Sequence, residues 1–123
     1  MSAMELVEKI VKILDSKKAH DIKVIGISDV STISDYFVVA GGSSSTQVKA
    51  LADEVEYKLK KEGIYPLRIE GYSSSQWVLV DYGHVVLHVF YNETREYYGL
   101  ERLWVDGEQI DVSSMLISED TDS

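Results

Sequence analysis

Along residues 2–18, Leu6, Val7, Ile10, Val11, Ile13 and Leu14 recur at helical spacing, with Glu5, Glu8, Lys9 and Lys12 on the other face. This period predicts an amphipathic helix. Residues 21–27, D-I-K-V-I-G-I, are rich in β-branched side chains and follow a polar break, which predicts a strand. A turn over Ser31-Thr32-Ile33-Ser34 leads into residues 35–40, D-Y-F-V-V-A, a mostly apolar run suited to a strand covered on both faces. Gly41-Gly42 ends it. Ser43, Ser44 and Ser45 offer N-caps for a second helix whose buried stripe is Val48, Leu51, Ala52, Val55 and Leu59, and Gly63 supplies the stop. Three more strands are predicted over residues 66–69, 77–81 and 85–90. The first opens on Pro66, where a missing amide donor is tolerated, and the other two form a hairpin turned at Tyr82-Gly83-His84. A short helix from residue 92 or 93 to 104 follows, and the chain beyond Gly107 reads as a fraying tail.

The order α-β-β-α-β-β-β-α lacks a strict βαβ repeat, so the predicted class is α+β, a mixed sheet with helices packed on it. The 123 residues, 45% of them apolar, suit one domain over residues 1–107, followed by an acidic, flexible tail over 108–123. The absence of cysteine excludes disulfides, thiolate metal sites and thiol catalysis. No apolar run approaches the roughly 20 residues of a membrane span. The N-terminus enters the first helix without an apolar h-region or an Arg-rich presequence. A soluble, cytoplasmic protein is the expectation.

Charge narrows the choice of partner. The formal net charge of −9 is divided as −1 over residues 1–62, −2 over 63–100 and −6 over 101–123. A grip on a phosphate backbone needs clustered Lys and Arg, so no direct nucleic-acid binding is expected. A basic protein surface is the better match. The stretch from Trp77 to Trp104 concentrates two Trp, four Tyr and one Phe among isolated charges. Such amphipathic rings beside carboxylates point to a protein-binding face. Trp77, Asp81, Tyr82, Tyr97 and Tyr98 are its leading candidates. His88, Glu93, Arg95, Leu100 and Trp104 complete the partner-binding set, each with a plainer reading as core, sheet or surface ion pair.

Catalytic and metal chemistry find little support. His84 and His88 lie roughly 13 Å apart along a strand, too far to share an ion. Neither serine triplet sits in a nucleophile elbow. Gly41-Gly42-Ser43-Ser44 lies between a strand and a helix, where amides could hold a phosphate or serve only as turn and cap. No D-x-D or E-x-D pair falls on a predicted strand, as nucleotidyl transfer through Mg²⁺ would require. No cofactor and no metal are expected.

A set of motifs in order carries a specific likeness. Asp35-Tyr36-Phe37-Val38-Val39-Ala40, Ser44-Ser45-Thr46-Gln47-Val48-Lys49-Ala50, Glu70-Gly71 and Trp77 come first. Asp81-Tyr82-Gly83, His88-Val89-Phe90, Glu93, Arg95, Tyr98, Leu100-Glu101 and Leu103-Trp104 follow. Together they resemble the ribosomal silencing factor family, also called Iojap-related, over residues 4–106. His84 departs slightly, since the family more often has an acid after that glycine. The resemblance implies a nucleotidyltransferase-like architecture without that chemistry, and a translation repressor instead of an enzyme. It also implies binding to the large ribosomal subunit through ribosomal protein fourteen, which obstructs joining to the small subunit. A homodimer that opens for its partner is implied for the free protein. A nucleotide-binding or nucleotidyl-transfer enzyme and a large-subunit assembly factor are the alternatives.

Overall fold

The computed structural model describes residues 1–27, 34–74, 76–91, 108–113 and 115. Helix α1 (Ala3–Ser16) starts where Ser2 and Glu5 cap it reciprocally: the Glu5 amide donates to Ser2 Oγ and the Ser2 amide to Glu5 Oε1. Its Leu6, Val7, Ile10, Val11 and Leu14 are buried, as the spacing requires. Strands β1 (His20–Gly26) and β2 (Tyr36–Gly42) pair antiparallel, and α2 (Ser45–Lys60) follows, with Ser44 as its N-cap. Then come β3 (Arg68–Glu70), β4 (Trp77–Asp81) and β5 (Val85–Tyr91).

These seven elements match the predicted order. The eighth, the helix over 92–104, falls outside the described residues, as does most of the Ser31–Ser34 turn. Strand β3 begins at Arg68, two residues after the expected start at Pro66, and two further boundaries moved for physical reasons. Strand β2 runs through Gly41 and Gly42 because the parallel strand β5 offers them partners in Phe90 and Tyr91, so backbone pairing overrides the glycine stop. A further strand, β6 (Glu108–Ile110), pairs antiparallel with β1, and Met115 is buried in the core. The expected tail therefore does not begin at residue 108. Ile110 packs against the core opposite Val24, an anchor too short to show in a run of acids.

The six strands form one mixed sheet, ordered β3-β4-β5-β2-β1-β6, in which β2 and β5 alone run parallel. Successive side chains on a strand point to opposite faces, which divides the core in two. Val24, Val38, Ala40, Val78, Val80, Val85, Leu87 and Val89 point to one face and bury the apolar stripes of α1 and α2. Ile25, Val39 and Phe90 point to the other and, with Ile27, gather Phe37 and Trp77 around them. Among the described residues both helices lie on the first face. The second face is where the candidate site lies.

Candidate functional site

Cross-strand register assembles the second face in rows. Ile25, Phe37, Val86, Asp81 and Arg68 make one row; Lys23, Val39, His88, Leu79 and Glu70 make the next, followed by Gly41, Phe90 and Trp77. Its centre is aromatic. The Trp77 ring stacks on Phe90 at 5.2 Å between centroids, and His88 lies 4.5 Å from Phe37. Trp77 Nε1 donates to His88 Nδ1 at 3.0 Å. An indole can only donate, so the neutral imidazole carries its own proton on Nε2. That atom is buried and lacks a hydrogen-bond partner among the described residues. Burial pushes the His88 pKa down to about 4, against a smaller upward pull from Asp81.

The predicted residues separate accordingly. Trp77 is half-buried on this face, where its ring can be both support and contact. His88 is only 4% exposed, so it acts as packed support beneath Trp77 and not as a surface contact. Asp81 is on the same face, but both its oxygens are engaged: Oδ1 accepts from the Gly83 amide at 2.7 Å and Oδ2 from Arg68 Nε at 3.1 Å. Tyr82 turns away from it. One position further along the chain, it packs against the helix-side core, where burial and then Glu56 raise the pKa of its hydroxyl, which has no hydrogen-bond partner among the described residues. Glu93, Arg95, Tyr97, Tyr98, Leu100 and Trp104 lie outside the described residues.

Sequence reasoning missed Arg68 and Glu70. Their side chains share the second face at its β3 edge, where Arg68 Nη1 reaches Glu70 Oε2 at 2.7 Å while its Nε holds Asp81. Glu70 appears in the sequence only within the Glu70-Gly71 motif and Arg68 only in the alternation R-I-E, which acquires meaning once Arg68 is placed opposite Asp81 and Glu70 opposite Leu79.

The turn between β2 and α2 is committed to its own structure. A Cβ on Gly42 would meet Val48 Cγ2 at 3.0 Å and the Val48 amide nitrogen at 3.1 Å, so the helix fills the space. Ser43 donates its amide and its hydroxyl to Gln47 Oε1 at 2.6 and 2.8 Å, and the Gln47 amide donates to Ser44 Oγ at 3.0 Å. Turn and cap describe this segment better than a phosphate cradle. Among the described residues no three His, Asp or Glu side chains gather as metal ligands. His84 sits apart from His88, its Nδ1 3.1 Å from Asp35 Oδ2.

Comparison with known proteins places the chain in a family. The family model described as ribosomal silencing factor during starvation matches residues 1–123. A ribosomal silencing factor RsfS from Halalkalibacterium halodurans is 38% identical over 116 residues, covering 94% of this chain and 99% of the relative. The mouse protein named mitochondrial assembly of ribosomal large subunit protein 1 is 36% identical over 101 residues, covering 80% of this chain and 44% of the relative. A solved structure from Chromobacterium violaceum superposes with a TM-score of 0.82 at 38% identity, covering 90% of this chain and 91% of that one. The α+β architecture, the ordered motifs and the match along its whole length agree: this chain belongs to the ribosomal silencing factor family.

Proposed function

We propose that this protein binds the large ribosomal subunit through ribosomal protein fourteen and, by occupying the face that meets the small subunit, blocks subunit joining and represses translation. Family membership over residues 1–123 carries this reading. The second face supports it with a half-buried Trp77 in an aromatic cluster, and the net charge of −9 suits a basic ribosomal protein. Steric exclusion needs no catalytic residue, cofactor or metal. It also needs no membrane, and among the described residues no helix is long and apolar enough to cross one. We place the action in the cytoplasm. In the free protein the same apolar face pairs two copies, and the homodimer opens when the ribosomal protein competes for it.

The test is capture of purified ribosomal protein fourteen. Wild type is expected to bind it, and Trp77→Ala, shown to be folded by circular dichroism, to bind about thirtyfold more weakly, as for a hot spot worth about 2 kcal/mol. Equal capture by both would move the contact away from Trp77. Capture by neither would reject the partner.

A second reading, assembly of the large subunit, is favoured by the name of the mouse relative. It predicts accumulation of immature large subunits when the protein is removed, where silencing alone predicts normal ones. The nucleotidyltransferase-like alternative is weakened by the β2–α2 turn, whose serines are consumed by Gln47.

A further inference from the structure

At the corner between β3 and β4 lies a cavity of about 150 Å³, lined among the described residues by Glu70, Gly71, Trp77 and Leu79. It is smaller than the roughly 300–1,000 Å³ of drug- and cofactor-sized sites, but one side chain would fit. Its walls are an indole, a leucine and a glycine backbone, with one carboxylate at the rim. The charge there is unbalanced. Among the described residues Asp81 and Glu70 share a single guanidinium, that of Arg68, which leaves one negative charge uncompensated there. Asp81 has committed both oxygens, to Arg68 and to the Gly83 amide. Among the described residues Glu70 has committed only Oε2, and its side chain is 55% exposed.

We propose that this cavity receives one arginine side chain of the protein partner, its guanidinium paired with Glu70 and its stem lying along Trp77 and Leu79. The inference rests on the reading of the second face as the partner-binding face and adds the chemistry of one contact. Arginine fits better than lysine because a planar guanidinium can both lie against an aromatic ring and present a fork of donors to a carboxylate. Arg68 stays on Asp81 and keeps that carboxylate from competing. The acidic rim selects for a cation, and the small apolar volume selects for a flat one.

The experiment is an amide and indole NMR titration of the full chain with Nα-acetyl-arginine amide, against the neutral isostere Nα-acetyl-citrulline amide at matched concentration. The arginine compound is expected to shift the Trp77 indole signal and the amides of Glu70, Gly71 and Leu79, with citrulline leaving them in place. Glu70→Gln, a change at an exposed position, is expected to weaken the arginine response at least tenfold. Equal shifts from both compounds, no shift from either, or an unchanged response in Glu70→Gln would overturn the inference. Co-sedimentation with purified large subunits separates it from the functional reading on which it rests. Wild type and Glu70→Gln sedimenting equally would reject the arginine contact and leave subunit binding intact. Wild type failing to sediment while the arginine titration succeeds would reject subunit binding and keep the guanidinium site.

Discussion

Replacing Gly71 with alanine is expected to destabilise the protein by more than about 3 kcal/mol, read as a large fall in the urea midpoint. Gly71 has φ +77°, and a Cβ there would lie 2.0 Å from the Trp77 carbonyl oxygen. Neither obstacle is a flexible side chain. The carbonyl belongs to the first residue of β4, so relief requires the β3–β4 connection to shift, and with it the edge bearing Arg68 and Glu70. Gly63→Ala is the matched control, since Gly63 has φ +79° with nothing within 4 Å of its added Cβ. It should cost only about 1 kcal/mol, the conformational share alone. Equal losses in the two variants would contradict the clash. The same geometry explains why Glu70-Gly71 stands among the motifs: the glycine brings the carboxylate beside Trp77.

Acidification is expected to weaken the fold through His88, by about 3 kcal/mol in all. The imidazole is neutral in the folded protein, with its pKa lowered from 6.5 to about 4 by burial. The unfolded chain takes up a proton below pH 6.5, where the folded chain does not. The stabilisation is therefore complete above about pH 6.5 and is lost progressively as the pH falls towards about 4. His88→Asn retains an acceptor for Trp77 Nε1 and removes the titration. Denaturant unfolding of both proteins across that window should show the steeper pH slope in wild type. Parallel slopes would contradict the assignment to His88, since Glu5 and Asp111, both held below the usual carboxylate range by hydrogen bonds, lose their stabilisation only below their ordinary values of 4.5 and 3.8.

The sequence was most legible where periodicity is long. The α1 and α2 stripes could be read because each repeats over several turns against a polar face, and β4 and β5 because the turn at Gly83 separates two apolar runs. Strand β6 has three residues set among acids, and its place depends on β1, which no local pattern records. Gly41 and Gly42 look like a terminator until the parallel partner β5 is known. The site followed the same division. The aromatic residues and Asp81 could be marked by type, whereas Arg68 and Glu70 become a group only through cross-strand register. Tyr82 belongs to the same set by proximity in sequence alone, and strand alternation sends it to the opposite face.

Silencing by steric exclusion is tested most directly by mixing purified large and small subunits with and without the protein and resolving them on a sucrose gradient. The protein is expected in the large-subunit fraction, with fewer joined ribosomes as its concentration rises. An undiminished yield of joined ribosomes, or protein sedimenting with neither subunit, would contradict it.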